Sequence, residues 1–150
     1  VSIIKGLESI KKNSGLRGRW EIMQTSPLVI CDTGHNEDGV KSNIQQLLTF
    51  TKASNLRILW GMVKDKDRSK ILKLLPQESH YYLVKPSVIR GYESELLAQE
   101  FSALGFDQIR NFSTIKEAYE SAIQESDTAD VIFIGGSTFT VADFFIQMDL

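Results

Sequence analysis

Cysteine is nearly absent from this sequence: Cys31 is the only one. A disulfide framework within the chain is therefore excluded, and a cysteine-based zinc site is disfavoured. Histidine is almost as scarce. His35 and His80 stand far apart, too few ligands for a metal centre built by this domain alone. Neither sign of charge prevails: 17 Lys and Arg stand against 19 Asp and Glu, a formal charge of −2. The basic footprint that broad nucleic-acid capture requires is missing. No apolar run approaches the roughly 18 residues that span a bilayer. The opening VSIIKGLESIKK has neither the apolar stretch nor the small-residue cleavage site of a signal peptide. No nucleic acid, no membrane and a cytoplasmic location are expected. Repeats and low-complexity tracts are also missing.

What is present is ordinary for a globular domain. The 150 residues are 42% apolar and 24% charged, enough to build one core. Ile3, Ile4, Leu7 and Ile10 stand at helical spacing, and Asn13-Ser14-Gly15 stops them. Residues 1–14 read as a helix or linker inherited from a preceding domain, and 15–150 as the domain itself. RWEIMQ, then Ser26-Pro27, then LVICD read as a hairpin. From there helices and strands alternate. Helices are expected over 37–52, 67–75, 92–104, from an N-cap at Ser113 to 125, and over 138–148. Strands are expected over 56–63, 80–85, 108–112 and 130–136. Such alternation predicts an α/β, Rossmann-like three-layer domain. It has a mainly parallel sheet of about six strands, an N-terminal β-hairpin and helices on both faces.

Ligands of an open α/β sheet bind beyond the carboxyl ends of its strands. Three stretches fall there: Asp32-Thr33-Gly34-His35-Asn36, Gly61 to Asp67, and Gly135-Gly136-Ser137-Thr138. A carboxylate such as Asp32 suits ribose hydroxyls; equally, Asp32 or Asn36 can serve only as a helix cap. Lys64 or Lys66 can meet a phosphate or carboxylate, while Asp67 can simply cap a helix in a solvated loop. The glycines before Ser137 fit either an anion-binding helix start or a close strand-to-helix turn. Arg19 and Arg90, taken singly, read as surface residues. Trp20, Trp60, Tyr81, Tyr82, Phe133, Phe139, Phe144 and Phe145 read as packing. GxGxxG and GxxxxGK[ST] are both missing, so a nucleotide-hydrolysing domain complete in itself is not expected.

Taken together, GLRGRWE, CDTGHN with Asp32 thirteen residues after Arg19, GMVKDKD, the stretch from Pro86 through Arg90-Gly91 to Glu95-Leu96-Leu97, and IGGSTFTVADF are more specific. In that order they resemble the C-terminal domain of folylpolyglutamate synthase/dihydrofolate synthase, of the Mur ligase superfamily. The likeness covers about 15–148. The family's usual DGAHNP reads DTGHNE here, with Asp, His and Asn retained.

The resemblance implies a domain of an ATP-dependent ligase that activates a carboxylate as an acyl phosphate for attack by the amino group of L-glutamate. Folate or pteroate would be the acceptor. The P-loop and most Mg²⁺ ligands would belong to an N-terminal P-loop ATPase domain of the same protein, and this fragment alone would be inactive. By position, Arg19, Asp32 and Asn36 would contact ATP, and His35 would sit near the reaction centre. Ser137, Lys66, Asp67 and Arg90 would lie on the glutamate side. Two alternatives remain at this level: the C-terminal domain of a cell-wall Mur ligase, and a non-catalytic nucleotide-binding module.

Overall fold

The computed structural model describes residues 17–49, 51–65 and 67–150. The helix expected over residues 1–14, and Lys66, lie outside that range.

Six strands form one sheet: β1 (Glu21–Thr25), β2 (Leu28–Cys31), β3 (Leu56–Trp60), β4 (His80–Leu83), β5 (Ile109–Asn111) and β6 (Val131–Gly135). Their spatial order is β1-β2-β6-β3-β4-β5. Only β1 runs antiparallel, as one arm of the hairpin with β2; every other neighbouring pair is parallel. Among the described residues five α-helices connect or follow the strands: α1 (Glu37–Leu47), α2 (Arg68–Leu72), α3 (Ser94–Ala103), α4 (Ile115–Glu125) and α5 (Thr138–Gln147).

Strand periodicity divides the core in two. Ile30, Ile58, Trp60 and Phe133 point to one face, where they meet Val40 and Ile44 of α1, Ile71 of α2 and Phe101 of α3. Val29, Cys31, Leu59 and Ile134 point to the other, against Ala118 and Ala122 of α4 and Val141 and Phe144 of α5. Burial on both faces explains why β2 and β6 are continuous apolar runs.

Several helix boundaries differ from those the spacing predicts. Helix α1 ends at Leu47, and Thr49 turns its hydroxyl back onto the Gln46 carbonyl. Helix α2 is a short piece, 68–72. Helix α3 starts at Ser94 because Glu93, at ψ 130°, is outside the helical region; Tyr92 before it donates its N–H to the Met62 carbonyl. Thr114, and not Ser113, caps α4: its hydroxyl accepts from the Glu117 N–H at 3.1 Å. Gly105 follows α3 at φ +96°, the left-handed conformation that ends a helix.

Candidate functional site

Strands β2, β6 and β3 are neighbours, yet β2 leads into α1 on one face and β6 into α5 on the other. The crevice between such diverging connections opens at the carboxyl ends of the strands. The three stretches 32–36, 61–67 and 135–138 all start there.

Asp32 organises the first. Its buried carboxylate receives three donors: the Gly34 N–H on Oδ1 at 2.7 Å, the Asn43 amide on Oδ1 at 2.9 Å, and the Trp20 N–H on Oδ2 at 2.8 Å. One acceptor position is then left on Oδ2 among the described residues. Gly34 is needed for space: a Cβ there would lie 2.8 Å from Asp32 Oδ1. Asn36 caps α1, its Oδ1 accepting from the Gly39 N–H at 2.8 Å. His35 is exposed, and its Nδ1 lies 3.1 Å from the Thr33 carbonyl oxygen. A carbonyl only accepts, so Nδ1 carries the proton and Nε2 is the free lone pair of the neutral ring.

Arg19 sits exposed in the turn before β1. That turn is held on the Asp32 loop, since the Gly18 carbonyl accepts from Thr33 N–H at 2.8 Å and Trp20 N–H reaches Asp32. Beneath it, fully buried Glu21 accepts from Arg17 Nε at 3.1 Å and from the Gly18 N–H.

Ser137 caps α5. Its Oγ accepts from the Phe139 N–H at 3.1 Å, which leaves the hydroxyl proton to donate. The preceding turn is tight because Gly136 adopts φ +96° and its position faces Trp60. A Cβ would lie 2.5 Å from the Gly61 carbonyl oxygen and 2.9 Å from the indole. The turn at 86–91 completes the site. It is tied to the 62–64 stretch by Lys64 N–H to the Arg90 carbonyl at 2.7 Å and Tyr92 N–H to the Met62 carbonyl at 2.9 Å. Arg90 leans over the Phe139 ring, 5.4 Å from its centroid, and its Nη1 is 3.3 Å from Asp65 Oδ2.

A cleft of about 270 Å³ results, in which His35, Arg90 and Ser137 share one wall set with Val63, Gly136, Thr138 and Phe139. Three of the residues named from sequence thus meet, from stretches more than forty positions apart. Asp32 lies behind His35, while Arg19 and Asn36 lie outside the lining. Asp67 also lies outside it. Its carboxylate takes the Ser69 hydroxyl at 3.0 Å and stands 3.6 Å from Lys70, and the Ser69 bond lowers its pKa. Lys66 is outside the described residues.

Phe139 does more than pack: half-buried, it lines the cleft under Arg90. Asn43, the donor to Asp32, interrupts the apolar stripe Val40, Ile44, Leu47 of α1, and this polar residue on a buried face is the sequence signal for it. Asp65 meets the site through Arg90, and Asp143 through Ser87 of the 86–91 turn. Among the described residues, no group of three or more His, Cys, Asp or Glu is placed to hold a metal ion, and no helix is long and apolar enough to cross a membrane.

A family model described as the Mur ligase glutamate ligase domain matches residues 18–138. Over 132 residues the chain is 26% identical to a protein of Haloferax volcanii named "Probable bifunctional folylpolyglutamate synthase/dihydropteroate synthase"; the match covers 88% of this chain and 16% of that protein. Over 128 residues it is 26% identical to the dihydrofolate synthase/folylpolyglutamate synthase of Escherichia coli, covering 85% and 30%. Among solved structures it is similar to the bifunctional folylpolyglutamate synthase/dihydrofolate synthase of Yersinia pestis complexed with AMPPNP and Mn ion. The TM-score is 0.79 and the identity 29%, over 90% of this chain and 32% of that one. A structure of such an enzyme with Mn, AMPPNP and L-glutamate bound matches equally. The chain therefore spans between about a sixth and a third of the relatives it matches.

Proposed function

This chain belongs to the Mur ligase glutamate ligase domain family, and on that premise we propose that it serves an ATP-dependent folate:L-glutamate amide ligase, as the domain that receives glutamate and part of the nucleotide. The carrying observation is one cleft that joins His35 after β2, Ser137 after β6 and Arg90 from the turn after β4.

The chemistry of the lining suits an amino acid's carboxylate. The guanidinium of Arg90 offers a planar pair of donors, and the ion pair with Asp65 is exposed, hence cheap to exchange for a ligand anion. The first N–H groups of α5 and the Ser137 hydroxyl add donors at the positive end of a helix dipole. When its ring is neutral, His35 offers Nε2 as an acceptor that can hold or take a proton from an incoming ammonium group. Lys66 and Asp67 would border this side.

Toward the nucleotide, exposed Arg19 can stack on a base or meet phosphate, the last acceptor position on Asp32 can take a ribose hydroxyl, and the Asn36 amide nitrogen can donate. ATP, when bound, supplies the phosphoryl group that activates the acceptor carboxylate. An N-terminal P-loop ATPase domain of the same protein would bring ATP, Mg²⁺ and folate or pteroate. Closing on it would exclude water from an activated carboxylate. Ile89, 95% exposed beside Arg90 at the cleft mouth, is apolar surface for such a closure.

The test is ligation by the full-length protein. Labelled L-glutamate, ATP and either dihydropteroate or tetrahydrofolate should yield an amide-linked product. Product formed only with a UDP-linked peptide precursor would assign the protein to the cell-wall branch. No product with either acceptor would overturn the ligase reading.

A further inference from the structure

We propose that Asp143 is a positioning residue, which through Ser87 holds the 86–91 turn so that Arg90 overhangs the cleft.

Asp143 lies in the middle of α5, the only acidic residue of TFTVADFFIQ. Both of its oxygens are committed to one residue 56 positions upstream. The Ser87 N–H donates to Oδ2 at 2.8 Å and the Ser87 hydroxyl to Oδ1 at 2.6 Å. Hydrogen bonds to an ionised acceptor are roughly twice as strong as neutral ones. Four residues earlier on the same helix face stands Phe139, whose ring lies under the Arg90 guanidinium. One face of α5 therefore grips the turn twice, at Ser87 through a carboxylate and at Arg90 through a ring.

The turn is built to transmit that grip. Pro86 is buried at its start, with fixed φ. Gly91 closes it, and any Cβ there would run into the Pro86 carbonyl oxygen. The Gly91 N–H returns to the Val88 carbonyl at 2.9 Å, and the Arg90 carbonyl is held by Lys64. Those backbone bonds anchor the far side of the turn to the 62–64 stretch. Asp143 anchors the near side. Without it, the Arg90 side chain, 57% exposed, is held over the cleft only by the Phe139 ring and the exposed Asp65 pair.

The functional weight of this clamp rests on the glutamate reading of the cleft, so the experiment separates the two. In the full-length protein, Asp143→Ala, Arg90→Ala and the double variant are compared by steady-state kinetics with L-glutamate and ATP varied in turn. The Arg90 Nε–H signal is followed in arginine-labelled protein, where the Phe139 ring shifts it. Asp143→Ala should raise the KM for L-glutamate about tenfold while kcat and the KM for ATP move less than about twofold. It should displace the Arg90 signal, and on the Arg90→Ala background it should add less than about twofold. Ser87→Ala, which removes one of the two bonds, should give an intermediate effect. An undisplaced signal, or an equal rise in KM with Arg90 already gone, would overturn the positioning role. If Arg90→Ala leaves KM unchanged while Asp143→Ala still displaces the signal, the clamp is upheld and the glutamate reading falls.

Discussion

The Asp32 carboxylate accepts the backbone N–H of Trp20 at 2.8 Å, twelve positions earlier in the chain. That bond joins the Arg19 turn to the loop bearing His35, so one buried side chain holds two stretches of the site in register. Its other oxygen takes Gly34 and Asn43. Asp32→Asn puts an amide NH₂ where one of these donors must be received. Leaving a buried donor unmet costs about 1–3 kcal/mol. The urea midpoint should fall accordingly, with the slope unchanged, and nucleotide affinity should fall with it. A variant of wild-type midpoint would remove Asp32 from this organising role.

Gly136→Ala tests the strand-to-helix turn. At φ +96° an alanine is strained, and its Cβ meets both the Gly61 carbonyl and the Trp60 ring. Such strain costs on the order of 1–3 kcal/mol. The loss should appear in thermal unfolding together with weakened glutamate binding. Gly105→Ala, also at positive φ but facing only the end of Gln77 at 3.4 Å, should lower stability less and leave binding alone.

At Ser137 a cap and a ligand contact coincide, and two substitutions separate them. Ser137→Ala removes the cap, at about 1 kcal/mol, whereas Ser137→Gly keeps most of the capping preference. Both remove the hydroxyl. If the hydroxyl binds glutamate, both should raise its KM alike while only the alanine variant lowers the melting temperature. A glycine variant with unchanged KM would leave Ser137 as a cap alone.

The opposite end of the sheet predicts an acid limb of stability. Burial opposes ionisation of Glu125, but hydrogen bonds from Arg110, Ser121 and Tyr82 prevail and bring its carboxyl down to about 2. A depressed carboxyl stabilises the fold above its ordinary unfolded value, near 4.5, and that contribution is lost as pH falls toward 2. With the side chain 36% exposed, solvent screening limits the effect to about 1 kcal/mol. Glu125→Gln should flatten the pH dependence of the unfolding midpoint between these values. An unchanged slope would contradict the assignment.

Much of this architecture is legible in the residues. The apolar runs VIFIG and LVIC, without polar alternation, are what strands buried on both faces require, and the DTGHN and GGS stretches follow them directly. Helix ends are less legible, because local backbone geometry decides them: Glu93 at ψ 130° keeps Tyr92 outside α3. The site is legible as three strand ends and not as a cleft. Phe139 carries no mark that separates a lining ring from a core ring. Asp143 and Asp65 look like solvated charges until the turn they hold or meet is in place.

The most direct test is ATP-dependent phosphate release by the full-length protein with L-glutamate and either dihydropteroate or tetrahydrofolate, comparing wild type with Asp32→Ala and His35→Ala. Folate-dependent release that collapses in both variants, with circular dichroism unchanged, is the predicted result. Release that needs no folate, or that survives loss of His35 and Asp32, would contradict the placement of this cleft in a folate ligase.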